Sequence, residues 1–327
     1  MPDSFPLISI IILARNFNDY LKQAVSKCLG LDYGDFEILI STEEPFSQVF
    51  EKTMVIQSQE GPALRRDLAA KQAKGEILAF LDDDAYPQKD WLKNAVPYFK
   101  NPRIAAVCGP GITPKEDSSQ QKASGWIFAS LLGGGTLGYR FLPKKKREVR
   151  DFPSMNFLVR KSDFEKVGGF NSAFWPGEDT KLCLDLTKKL GKKIIYDPKI
   201  LVFHHRRPVF GPHLEQVCGY GLHRGYFAKI LPQTSKKPLY FMPLAFTFFV
   251  LSLPIFGLFA VNLRQPIFNI YFQVLGFYFS ALALTGVWVF LKEKNLKIGF
   301  WTMIGIFLTH ICYGLCFLRG LLAPKVK

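Results

Sequence analysis

Asp82, Asp83 and Asp84 stand side by side directly after the apolar run 77–81 (ILAFL). Three adjacent carboxylates repel one another, so the fold must compensate them. Mg²⁺ or Mn²⁺ would do so, because these hard cations take oxygen ligands and share them with phosphates. A cation held there could bridge to a diphosphate and stabilise it as a leaving group. Successive residues of an extended segment face opposite ways, which pairs Asp82 with Asp84 and turns Asp83 aside. A solvated turn, or an N-cap for a helix before Trp91, is the plainer use of such a cluster. The buried strand in front of it favours the metal.

A second acidic pair, Glu178 and Asp179, follows Trp175-Pro176-Gly177 at an expected helix start. Carboxylates gain from the helix dipole there, so a simple N-terminal cap is one explanation. The other is a general base that takes a proton from an attacking hydroxyl. Asp179 is the choice for that base, with Glu178 shaping the acceptor pocket. His204 and His205 end an expected strand. A neutral imidazole can complete a metal shell, and strand alternation lets at most one reach it. His205 is favoured. Arg206 and Arg207 could hold phosphate oxygens, or form a basic surface facing a membrane.

These groups need a scaffold. Residues 7–13 (LISIIIL), 36–40 (FEILI), 77–81 and 104–108 read as buried strands. Residues 19–29, 62–74 and 89–99 read as helices between them. The alternation predicts an α/β fold with a doubly wound parallel sheet, which binds ligands at the carboxyl ends of its strands. Further on, residues 151–160 and 194–203 read as strands and 162–167 and 178–190 as helices. Gly133, Gly134 and Gly135 with the basic run at 144–147 suggest a flexible loop.

The chain has 327 residues, 48% of them hydrophobic, and a formal net charge of +15. That is too apolar for disorder, and the charge calls for an anionic partner. A membrane surface or phosphate ligands fit better than nucleic acid, for which there is no motif. Six cysteines contain no CxxC pair. Cys312 and Cys316 read as small buried apolar residues, as in a protein facing a reducing cytoplasm. The first residues lack the basic start of a secretory signal.

Apolar runs at about 239–263, 267–291 and 298–318 are each long enough to cross a hydrocarbon core, which takes ~20 helical residues. The expected division is a catalytic domain over 1–235, with a possible interfacial amphipathic helix at 212–232, and a membrane region over 236–327. Lysines at 236, 237, 292, 294 and 297 place the large domain on the cytoplasmic face of a cell membrane by the positive-inside rule.

The order LISIIILARN, GPALRRDLAAKQAKGEILAFLDDDAYP, FWPGEDTKLCLDL and VFHHRRP resembles family 2 glycosyltransferases of the GT-A fold, especially membrane-tethered ones that make cell-surface polysaccharides. The resemblance covers about residues 5–230. It implies a nucleotide-sugar donor, a UDP-sugar first among them, and a lipid-linked or glycan acceptor. It implies that Ala14, Arg15 and Asn16 edge the nucleotide pocket and that Arg65 contacts the nucleotide. Asp82 and Asp84 become the D-x-D pair, with Asp84 the direct metal ligand. Asp179 becomes the base of a single displacement with inversion. The acidic pair usual at the second strand's end is replaced by Ser41-Thr42-Glu43-Glu44, where Glu43 is the substitute. The Q-x-x-R-W motif of processive synthases is absent, which favours transfer of a single sugar. A membrane nucleotidyltransferase and an inactive scaffold of the same fold are the alternatives.

Overall fold

The structure is a computed structural model that describes residues 6–170, 174, 177–253 and 265–326. The chain forms two compact units. One takes the chain up to Pro114 together with Tyr139–His205, and the other takes Lys115–Gly138 and Arg206–Lys327. The expected membrane region at 236–327 thus shares its unit with Lys115–Gly138 and with residues 206–235.

The strands are β1 (Ile8–Leu13), β2 (Phe36–Thr42), β3 (Thr53–Gln57), β4 (Ile77–Asp82), β5 (Ala85–Pro87), β6 (Ile104–Cys108), β7 (Gly111–Ile112), β8 (Arg147–Val149), β9 (Asn156–Arg160), β10 (Lys193–Tyr196) and β11 (Val202–His204). The helices that matter below are α1 (Asp19–Leu29), α2 (Pro62–Gln72), α3 (Trp91–Ala95), α4 (Ser119–Ala129), α5 (Lys161–Val167), α6 (Glu178–Leu184), α7 (Gly211–Ile230), α8 (Pro238–Leu251), α9 (Gln265–Glu293) and α10 (Leu296–Leu322).

In the first unit an eight-stranded sheet runs β3-β2-β1-β4-β9-β6-β10-β8. β1, β2, β3 and β4 are parallel, as are β6 and β10, while β9 runs against both its neighbours and β8 against β10. The sheet is therefore mostly parallel, as expected for this α/β fold, with β8 and β9 as its antiparallel strands. β-branched residues fill both faces, as strands covered on two sides require. Ile8, Ile10, Ile12, Ile38 and Ile40 pack with Leu21, Val25, Trp91 and Leu92 of α1 and α3. On the other face Phe80 lies 5.5 Å from Phe164 and 4.9 Å from Phe170, ring centre to ring centre. Each such side chain contributes ~1.5–3 kcal/mol by leaving water.

Register sets the ligand end. Leu13 of β1 is level with Ser41 of β2 and Asp82 of β4, so three carboxyl ends stop together. Past Asp82 the chain turns into β5, which joins β11 and β7 in a small second sheet. Sequence periodicity overextends several elements. The helix expected at 89–99 stops at Ala95 and continues as a 3-10 turn, because Pro97 removes an N–H. The strand expected at 194–203 is two strands in different sheets, broken around Asp197 and Pro198. β3 has no counterpart in the expected elements.

In the second unit α4 is tied to the C-terminal helices. Ser124 Oγ lies 2.7 Å from His213 Nδ1, and Trp126 Nε1 donates to Glu293 Oε1 at 2.8 Å. Gly133 and Gly134 lie in a helical turn, Leu131–Gly134, and not in a flexible loop. A Cβ on either would overlap the carbonyls of Ile127 and Phe128. α7 covers the expected amphipathic segment, and its buried positions His213, Val217, Gly221 and Gly225 recur every four residues. Cys316 is not a plain apolar residue: it forms a disulfide with Cys218, joining α7 to α10. The first unit's Cys28, Cys108 and Cys183 are free and buried.

Asn269–Glu293 and Leu296–Leu322 are long and apolar enough to cross a membrane. Phe277, Leu284 and Ile270 are exposed on α9, as lipid-facing residues are. The first expected span begins as the shorter helix α8, and its part from 254 to 263 lies outside the described residues, as do Trp175 and Pro176 of the expected turn.

Candidate active site

Asp82 closes β4, and two residues later the backbone enters β5. Pairing of β5 with β11 sets His204 opposite Ala85 and lets the His205 N–H donate to the Asp84 carbonyl at 2.9 Å. The His204 imidazole consequently faces the aspartates, with Nε2 at 3.0 Å from Asp84 Oδ1. One ligand atom each from Asp82, Asp84 and His204 lies within 4.8 Å of the others. Two carboxylates and an imidazole suit Mn²⁺ or Mg²⁺.

His205, the histidine favoured for the metal from sequence, points elsewhere. Its Nε2 lies 2.8 Å from Gln23 Oε1, and its ring packs 4.6 Å from that of Tyr20 and 5.7 Å from that of Tyr86. Strand alternation decides between the two histidines, and the β5–β11 register fixes its phase. Asp83 turns away from the cluster and accepts from Asn18 Nδ2 at 3.3 Å. Asn18 also caps α1, accepting from Leu21 N–H at 2.9 Å. Burial, then Asp84, pushes the Asp83 carboxyl up to about 6.

The acidic groups share one buried cation. Arg66 Nη2 lies 3.4 Å from Asp82 Oδ1, and Arg66 Nη1 lies 3.0 Å from Glu178 Oε1. Burial works against the charge of Arg66, and Asp82, Glu178 and Asp179 outweigh it, so the guanidinium is held more firmly charged. Glu178 also accepts from the Gly177 N–H at 2.8 Å, which commits both its oxygens. Asp179 accepts from the Ser154 N–H at 3.1 Å. Burial, then the neighbouring Glu178, raises its carboxyl to about 7.

Arg65, one residue earlier, faces the other way along the strand ends. Its Nη1 donates to the Ala14 carbonyl at 2.6 Å, and its Nη2 lies 2.9 Å from Glu43 Oε1. Arg15 Nε approaches the other Glu43 oxygen at 3.5 Å. Glu43, Arg15, Arg65 and Ala14 therefore form one ionic clasp across the ends of β1 and β2. Asn16 lies beside it, its Oδ1 3.5 Å from Asn18 Nδ2. Arg206 and Arg207 fall in the second unit, where Arg206 is buried with its N–H 3.4 Å from Asp117 Oδ2 and Arg207 is exposed.

Three contributors escape a reading of the sequence. Arg66 had a signal: it lies three and four residues before the buried Ala69 and Ala70, on the core stripe of α2. His204 needed the β5–β11 register. Asn156, fully buried at the start of β9, accepts from Trp91 Nε1 at 2.9 Å and donates to the carbonyls of Gly109 and Ile200 at 2.9 and 2.7 Å. It pins β9 to the loops that deliver β7 and β11.

A family model described as Glycosyl transferase family 2 matches residues 9–168, which span β1 to the end of α5 and include the three aspartates. Over those residues, just under half of its length, the chain resembles glycosyl transferase family 2. Among curated relatives, a pre-mycofactocin glycosyltransferase of Mycobacterium tuberculosis is 29% identical over 220 residues, 65% of this chain and 46% of that one. The chain thus spans about half the length of that relative. A dolichyl N-acetyl-alpha-D-glucosaminyl phosphate 3-beta-D-2,3-diacetamido-2,3-dideoxy-beta-D-glucuronosyltransferase of Methanococcus voltae is 25% identical over 281 residues, 77% of this chain and 82% of that one. Among solved structures, the mannosyltransferase PcManGT from Pyrobaculum calidifontis, in complex with GDP-Man and Mn²⁺, superposes with a TM-score of 0.59 at 17% identity, covering 99% of this chain and 89% of that one. It shares the GT-A fold of the family.

Proposed function

We propose that this chain transfers a glycosyl group from a nucleotide-sugar donor to a hydroxyl of a lipid-linked or membrane-proximal acceptor, with inversion. The observation that carries the reading is the Arg66 bridge. It sets the strand-end Asp82 and the helix-start Glu178 around one cation, so the donor-side and acceptor-side carboxylates converge.

Asp82, Asp84 and His204 would hold Mn²⁺ or Mg²⁺, and a cation bound there supplies charge neutralisation for a diphosphate. Asp179 takes the proton of the acceptor hydroxyl. The acceptor oxygen bonds to the anomeric carbon as the bond to the donor phosphate oxygen breaks, and the nucleoside diphosphate leaves with the bonding pair. A base near neutrality suits this step, since it is unprotonated at working pH yet accepts a proton readily. Glu178 and Arg66 position Asp179 and keep the acidic cluster compensated.

Ala14, Arg15, Asn16, Glu43 and Arg65 border the nucleotide. Glu43 acts there as part of the ionic clasp, ordering the ends of β1 and β2. A UDP-sugar is the first donor to try, and the GDP-Man of PcManGT makes GDP-sugars the second. The dolichyl phosphate in the name of the Methanococcus relative supports a lipid-linked acceptor, and cell-surface glycan synthesis is the setting that fits it. The apolar helices anchor the chain as a multi-pass protein of the cell membrane. Basic residues at 236, 237, 292, 294 and 297 put the catalytic unit in the cytoplasm.

The test is a screen of the purified full chain for Mn²⁺-dependent turnover of UDP-, GDP- and dTDP-sugars. Turnover of one donor class, lost in Asp84→Ala, supports the reading. Activation of a sugar phosphate by a nucleoside triphosphate would replace it with nucleotidyl transfer, and no binding of any donor would leave a scaffold.

A further inference from the structure

The segment between Arg140 and Asp151 carries four consecutive cations, Lys144, Lys145, Lys146 and Arg147, all exposed. Among the described residues none of the four is in an ion pair. The one acid beside them, Glu148, is taken by Lys193 at 2.8 Å. So dense a charge of one sign is unfavourable unless something anionic meets it.

The run is held in place and does not hang free. The Lys144 N–H donates to Tyr196 Oη at 3.3 Å. Lys146 Nζ sits 4.3 Å from the centre of the Tyr98 ring, and the Arg147 guanidinium 4.9 Å from that of Tyr139. β8 pairs with β10 so that Arg147 lies opposite Tyr196, the last residue of β10. β10 is parallel to β6, so this is the carboxyl end of the sheet edge, where open α/β sheets bind ligands.

The run also connects to the base. Arg140 Nη2 donates to the Asp151 carbonyl at 2.7 Å and lies 3.4 Å from Asp151 Oδ2, closing the segment at its root. Asp151 Oδ1 accepts from Thr180 Oγ1 at 3.0 Å, and Thr180 follows Asp179 in α6. The root of the cationic segment is thus bonded to the helix that carries the base.

We propose that Lys144, Lys145, Lys146 and Arg147 form a docking site for an anionic part of the acceptor, a carboxylate- or phosphate-bearing glycan extension beyond the reacting hydroxyl. The site rests on the proposed transfer reaction for its purpose, not for its binding chemistry. The bond from the root of the run to the helix that carries the base favours an acceptor glycan over a lipid surface, and the run itself has no apolar residue to insert into a bilayer.

The test uses the full chain in detergent, with an oligogalacturonate as the anionic probe and a malto-oligosaccharide of the same length as the neutral one. Calorimetric titration is run on the parent, on K144E/K145E/K146E and on K188E/K189E, whose exposed lysines precede the amino end of β10. The parent is expected to bind the anionic probe, to bind it more weakly as salt rises, and to ignore the neutral one. The first variant is expected to lose on the order of tenfold or more, and the second to match the parent. Equal loss in both variants means unspecific charge and overturns the proposal. So does binding of phosphatidylglycerol vesicles by the parent without binding of the probe. Mn²⁺-dependent donor turnover is measured on the parent and on K188E/K189E, where it is expected to be the same. Its absence from the parent would sink the transfer reaction while leaving the docking result standing.

Discussion

Arg66 Nη1 lies 3.0 Å from Glu178 Oε1 while Nη2 of the same guanidinium lies 3.4 Å from Asp82. A helix that precedes β4 and a helix that follows β9 are thereby tied through one buried fork. Removing one partner of such a set strands a charge in the interior, which costs about 3–5 kcal/mol. Arg66→Ala is therefore expected to lower the denaturation midpoint of the full chain sharply. The double variant Arg66→Met/Glu178→Met is expected to recover part of that loss in a double-mutant cycle. Additive losses would mean that the two groups do not interact.

The Asp179 carboxyl is pushed up to about 7, by burial first and Glu178 second. Its ordinary value is 3.8, so the folded chain holds this proton more tightly than the unfolded chain. The stability this contributes is complete below the unfolded value and is lost as pH rises through the folded one. Above neutrality the ionised group costs on the order of a few kcal/mol. Asp179→Asn removes that cost. It is expected to raise the thermal midpoint at pH 8 and to leave it nearly unchanged at pH 4. A midpoint lowered at both values would contradict the assignment.

The same shift predicts a pH profile. The kcat/KM of transfer should fall tenfold per pH unit below an apparent pKa near 7, where Asp179 is protonated. Asp179→Glu should keep the limb with its midpoint moved. A profile flat down to pH 5 would exclude Asp179 as the base.

Metal affinity separates the two histidines. His204→Ala is expected to weaken Mn²⁺ binding by about 10- to 100-fold, the range for a perturbed metal shell. His205→Ala should leave Mn²⁺ binding close to that of the parent, because His205 meets Gln23 and Tyr20. Titration monitored by manganese electron paramagnetic resonance reads both, and the reverse ranking would return the metal to His205.

In the second unit α7 and α10 approach through glycine. A Cβ on Gly320 would overlap the Leu222 carbonyl, and one on Gly225 the Phe317 carbonyl. Small residues allow such backbone contact between apolar helices. Gly320→Ala is expected to lower the midpoint in detergent by several degrees, whereas Gly276→Ala, on open space in α9, should not. Equal midpoints would mean that the crossing is loose.

What could be read from the sequence follows the range of the forces involved. β1, α1, β4 and the placement of the aspartates at a strand end were legible, because β-branched runs and Asn18 capping act within a few residues. The antiparallel course of β9 was not, since strand direction depends on pairing with β4 and β6 far along the chain. Neither was the choice of His204, which rests on the β5–β11 register, nor the Cys218–Cys316 disulfide, whose partners are 98 residues apart. Arg65 and Arg66 looked alike as neighbours. Only the orientation of α2 sends one to Glu43 and the other to the acidic cluster.

The central claim is that donor binding and proton removal belong to separate carboxylates around Arg66. It is tested most directly by measuring Mn²⁺-dependent donor binding and acceptor transfer side by side in Asp84→Ala and Asp179→Asn. The account predicts that Asp84→Ala loses both, and that Asp179→Asn keeps donor binding within about twofold while transfer falls by about 10²-fold or more. Transfer at the parent rate in Asp179→Asn, or donor binding undiminished in Asp84→Ala, would contradict it.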